Sequence, residues 1–92
     1  MMKQTIWKYD VMINDSQKIE MPQGANLLSV QIQNGIPCIW AIVNPMNAEV
    51  ERVIQMAGTG HDMSERVMGA FLGTIQLNDG ALIFHVFDNG EE

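Results

Sequence analysis

A chain of 92 residues has material for one hydrophobic core and not two, and 47% hydrophobic with 17% charged residues is the composition of a folded globule. A net charge of −6, with only Lys3, Lys8, Lys18, Arg52 and Arg66 basic, excludes the clustered cations that a polymeric nucleic acid requires. No apolar run approaches the roughly 20 residues of a membrane helix, no secretory leader is visible, and the single Cys38 rules out an internal disulfide; a cytoplasmic protein is expected.

Thr5 to Met12 alternates, placing Thr5, Trp7, Tyr9 and Val11 on one face, as a half-buried strand does. Asn14-Asp15-Ser16 reads as a turn, Gln17 to Met21 as a short strand stopped by Pro22, and Gln23-Gly24 as another turn. Leu28 to Gln33 alternates strictly and runs into Asn34-Gly35, the pair that tolerates φ > 0 at both centres of a type I′ turn. Ile36 to Val43 is the return strand. A two-residue loop sets Gln33 against Ile36, Val30 against Ile39 and Ser29 against Trp40. The core face then carries Leu28, Val30, Ile32, Ile39, Ala41 and Val43. Pro37 falls opposite Ile32 and is tolerated where that stretch lacks a second neighbour.

Asn44 to Asn47 forms a loop. Ala48 to Ala57 fits two templates: Val50, Val53, Ile54 and Ala57 make a helical stripe, while the β-branched content suits a strand. Gly58 to Asp62 is a glycine-rich loop, and Met63 to Met68 is read as one helical turn capped by Asp62 or Ser64. Phe71 to Leu77 and Ala81 to Phe87 form a second hairpin across Asp79-Gly80, pairing Leu77 with Leu82, Ile75 with Phe84 and Thr74 with His85. Its core face carries Ile75, Leu77, Leu82, Phe84 and Val86. Residues 1–88 make a single β domain, and 89–92 are expected as a frayed acidic tail. The fold class is all-β: an antiparallel sandwich or small barrel of six or seven strands built on two hairpins.

Both return strands are apolar on both faces. The outer faces carry Ile36, Cys38, Trp40 and Ile42 in the first hairpin, and Ala81, Ile83, His85 and Phe87 in the second. Apolar area in water costs about 25 cal/mol per Å², so a loop, a second sheet, a second copy or a partner covers such faces. Trp40 is the natural anchor of an interface formed with Ile36, Ile42, Ile83, His85 and Phe87.

Among chemistry-bearing residues, Gly58-Thr59-Gly60-His61 is the leading candidate. Two glycines free backbone N–H groups to converge as an anion-binding nest, with Arg52 and Arg66 near in sequence to supply charge. The same residues also suit a plain tight turn, and no Lys-Ser/Thr follows as in a P-loop. His85, mid-strand opposite Thr74, reads as a hydrogen-bonded sheet histidine. Two histidines and one cysteine give no recognisable metal set, and no cofactor is expected. Cys38 reads as a small packed hydrophobe.

Several segments together resemble a family of short bacteriophage and prophage proteins without assigned activity. They are Ile6-Trp7-Lys8-Tyr9, Ile19-Glu20-Met21-Pro22 with Gly24-Ala25, Leu28-Ser29-Val30-Gln31 with Gln33-Asn34-Gly35, and Cys38-Ile39-Trp40-Ala41. Gly58 to His61, Gly73-Thr74 and Gly80 to Phe87 complete the set. The resemblance implies a viral origin, a compact β fold, and a strand where this chain has Glu49 to Ala57. The expected role is non-enzymatic: an accessory protein of the host cytoplasm, homo-oligomeric. It would blunt a host defence by binding a host protein or by sequestering a small anionic, nucleotide-like ligand. The alternative is a minor virion or assembly component.

Overall fold

A computed structural model describes residues 3–92. It contains seven strands: β1 (Thr5–Asp10), β2 (Ser16–Pro22), β3 (Asn26–Gln33), β4 (Ile36–Val43), β5 (Glu49–Gly58), β6 (Ala70–Leu77) and β7 (Leu82–Glu91). They form two antiparallel sheets, ordered β1-β4-β3 and β2-β5-β7-β6. The sheets pack as a small β-sandwich only 16 Å through its thinnest dimension, as two layers about 10 Å apart require. Among the described residues no helix is long and apolar enough to cross a membrane.

The hairpin β3–β4 has the register its turn dictates. Gln33 pairs with Ile36, Val30 with Ile39 and Ser29 with Trp40, and Asn34 and Gly35 take φ of 52° and 80°. Pro37 sits where β1 leaves the sheet: the β1–β4 ladder ends at Asp10–Cys38, and Val11 N–H reaches the Pro37 carbonyl at 3.0 Å. That bonded position is the one where a residue other than proline would donate back to β1, so the proline costs one terminal bond and no more. The hairpin β6–β7 likewise pairs Leu77 with Leu82, Ile75 with Phe84 and Thr74 with His85. Its turn is wider than two residues, because Asn78, Asp79 and Gly80 all have positive φ (51°, 56° and 87°). Gly80 N–H donates to Leu77 and Ala81 N–H to Asn78.

The core lies between the sheets. Ile39 and Val30 from one meet Ile54, Met56, Ile75 and Val86 from the other, with Val11, and Met21, Ala25, Ala41 and Val43 form a second cluster. The approach is close where the edge strands β3 and β6 face each other, since a Cβ at Gly73 would lie 2.9 Å from Val30 Cγ1.

Several expectations are corrected. Leu28 is 44% exposed and not in the core: the ladder slips between Leu27 and Ser29, and this bulge turns Leu27 inward instead. Leu82, at the end of its strand beside the wide turn, is also 44% exposed. Glu49 to Gly58 is a strand, which resolves the helix–strand ambiguity. Residues 63–66 make one turn closed by Arg66 N–H to the Met63 carbonyl, with Asp62 accepting from Ser64 N–H, and no helix forms there. The C-terminal residues are not frayed: Glu91 pairs with Arg52, Glu92 N–H donates to the Glu51 carbonyl, and the Glu92 carboxylate meets Lys18 at 2.7 Å.

Candidate functional site

Gly58 to His61 is a closed turn. His61 N–H donates to the Gly58 carbonyl at 3.0 Å, and Gly60, at the third position, has the φ of 89° that a type II turn requires there. Gly58 N–H donates to His61 Nδ1 at 3.2 Å, so in the neutral ring the proton sits on Nε2. Thr59 N–H donates to the Ile83 carbonyl. Three of the four amides are thus spent internally, which removes the convergent nest expected at this loop. The His61 ring lies against Gly58 where a side chain would stand: a Cβ there would be 2.8 Å from the imidazole.

The turn borders an open depression of about 170 Å³, walled by Gly58, Thr59 and His61 on one side and Ala81 to Phe84 on the other. That is below the roughly 300–1,000 Å³ of small-molecule sites. Gly60, Arg52 and Arg66 do not line it.

Arg52 lies elsewhere, between the ends of β5 and β7. Its Nε and Nη2 bond both Asp88 oxygens at 2.9 and 2.7 Å, and Nη1 bonds the Ala25 carbonyl at 2.7 Å. The two side chains are 12% and 16% exposed. Burial pushes the Asp88 carboxyl up, but the Arg52 hydrogen bonds, the Gly90 N–H and the Arg52 charge together hold it below the usual carboxylate range. The Asp88 hydrogen bonds raise Arg52 in turn, against its own burial. Arg66 staples the β5–β6 connection, donating to the Asp15 and Met56 carbonyls at 3.0 and 2.9 Å. Both arginines proposed to meet an anion at the glycine loop are therefore engaged as structural ties.

His85 lies on the outer face of its sheet, bridged between two strands. Nε2 is 2.8 Å from Thr59 Oγ1, and Nδ1 is 3.0 Å from Thr74 Oγ1. A neutral imidazole has one donor and one acceptor, so one hydroxyl receives and the other gives. The Thr74 contact follows from hairpin register; the Thr59 contact crosses from β5 to β7 and has no local signature. The Arg52–Asp88 pair did leave a trace: each charge falls on the inward phase of its strand, in line with Ile54 and Met56 and with Val86.

On the outer face of the β1-β4-β3 sheet, Trp40 lies between Lys8 and Ser29, and Ile42 between Ile6 and Asn26. Ile6 is 57% and Ile36 47% exposed, and Trp40 and Ile42 are half-buried. This face is turned away from the second sheet and the core. Cys38 shares it but is only 1% exposed. Lys8 Nζ bonds Gln33 Oε1 at 2.7 Å; Lys8 faces Trp40 and Gln33 faces Ile36, so the bond runs diagonally over Cys38. Burial, then the bond to Asp10, pushes the Cys38 thiol up. On the other sheet Ile83, His85 and Phe87 are half-buried, Ala81 is exposed, and Phe87 meets Phe71 edge-on at 5.6 Å.

Residues 2–92 match the profile of DUF7352, a domain of unknown function. The chain belongs to that family. No curated protein matches it, and no solved structure does.

Proposed function

We propose that this protein works by non-catalytic binding: an accessory protein of phage or prophage origin that docks a host protein on the open face of the β1-β4-β3 sheet. The observation that carries the reading is the row of Ile6, Trp40, Ile42 and Ile36 on a face without a covering layer, rimmed by Lys8, Asp10, Gln31 and Gln33 as the core of an interface is rimmed by polar groups. Sequestration of a nucleotide-like anion has weaker support, because Arg52, Arg66 and the loop amides are already bonded within the chain.

Tagged wild type and an Ile42→Lys variant, matched in melting temperature, test the proposal in the cell where the protein is made. A host protein recovered with wild type and lost with Ile42→Lys supports it. Equal recovery with both overturns it. So does finding the protein as a stoichiometric part of purified particles, which favours the virion role.

A further inference from the structure

The four edge strands of the sandwich are not equivalent. β3 and β6 each carry a bulge, between Leu27 and Ser29 and between Phe71 and Gly73, and bulges on edges disrupt pairing with other chains. β2 is regular but ends in Pro22 and carries Lys18, held by Glu92. β1 is regular along its whole ladder, contains no proline and exposes Ile6 and Trp7, and its one lysine, Lys8, is followed on the same face by the opposite charge of Asp10. It is the least protected edge among the described strands.

We infer that β1 is the docking edge for β1 of a second copy, paired antiparallel about a two-fold axis to make one six-stranded sheet, β3-β4-β1-β1-β4-β3. The inference does not rest on the binding role above: edge pairing leaves Ile36, Trp40 and Ile42 uncovered and draws only on Lys8 and Asp10 at the rim. The bonds available are fixed by β4. Val11 N–H points to Pro37, so by alternation the amides of Thr5, Trp7 and Tyr9 face β4 and those of Ile6, Lys8 and Asp10 face outward. A two-fold pairing that uses outward amides and keeps each face continuous has three central registers. One sets Lys8 against Lys8 of the second copy, which like charge disfavours. One sets Ile6 against Lys8. The third sets Lys8 against Asp10 twice, with Tyr9 against Tyr9. The third is the self-complementary one: the alternation of opposite charges on the outer face of β1 matches its own reversal, with Lys8 exchanging its bond to Gln33 for Asp10 of the second copy.

Sedimentation velocity of the purified protein from 1 to about 200 µM tests this, with circular dichroism to confirm folding. Wild type is expected to dimerise within that range. Lys8→Glu and Asp10→Lys each place like charges across the pair and are expected to weaken the dimer at least tenfold. The exchanged double variant Lys8→Glu/Asp10→Lys restores the match and is expected to return to within about threefold of wild type. A wild type that stays monomeric at 200 µM overturns the inference. A dimer indifferent to the single charge changes, or one that the double variant does not restore, overturns it equally, because such a dimer uses another surface.

Discussion

Replacing Arg52 by alanine separates a structural tie from a ligand-binding cation. The substitution removes three hydrogen bonds at 2.7–2.9 Å and leaves Asp88, 16% exposed, with the Gly90 N–H as its remaining partner. Breaking a buried pair from one side costs about 3–5 kcal/mol, since the surviving charge is stranded. A domain of this length has roughly 5–15 kcal/mol in total, so Arg52→Ala is expected to remove about a fifth of it at the least. The melting temperature should fall by at least about 12 °C, at 4–8 °C per kcal/mol. Urea titration followed by tryptophan fluorescence gives the magnitude, and the Arg52→Ala/Asp88→Ala cycle gives the coupling. The pH dependence has a definite sign. Asp88 is held below its unfolded value, so its contribution is present above about pH 4 and is lost as pH falls through the depressed folded pKa. Wild type should lose more stability between pH 4 and 2 than Asp88→Asn. A cost below about 1 kcal/mol for Arg52→Ala, or an unchanged acid limb in Asp88→Asn, refutes this reasoning.

Gly58→Ala drives a methyl into the His61 ring; calorimetry should show a loss of about 1 kcal/mol that largely disappears in a His61→Ala background, because the three atoms nearest the new methyl all belong to that ring. At Gly69 the obstacle is the backbone of Asp88 and Asn89, which cannot swing aside, so Gly69→Ala should cost about 2–3 kcal/mol by urea titration with no side-chain change able to rescue it. The Cys38 thiol, covered by the Lys8–Gln33 bond and raised in pKa, should react with a thiol reagent at neutral pH more slowly than a free cysteine, and Lys8→Ala should speed the reaction without any change in melting temperature.

The hairpins were legible because a turn dipeptide counts residues. Asn34-Gly35 fixed the pairings from Gln33 back to Ser29, and Asp79-Gly80 fixed those from Leu77 back to Gly73 even though the loop opened to include Asn78. Legibility ended where a bulge changed the count: Leu28 alternates faultlessly in sequence yet faces solvent, because edge-strand irregularity has no residue signature there. The C-terminal strand was missed for a different reason. Asp88 to Glu92 looks solvated by composition, but Arg52, Glu51 and Lys18, far back in the chain, supply its partners. The glycine loop shows the same limit. Two glycines state that the backbone bends; they do not state whose oxygen or nitrogen receives the amides, and here His61, Ile83 and the loop itself receive them.

Where the protein makes its contacts is tested most directly by amide hydrogen exchange, measured alone and in complex with the partner it recovers from cells. Added protection is expected along Thr5–Asp10 and Ile36–Val43, with Gly58 to His61 unchanged. Protection centred on Gly58 to His61, with the face around Trp40 unaltered, would contradict the account.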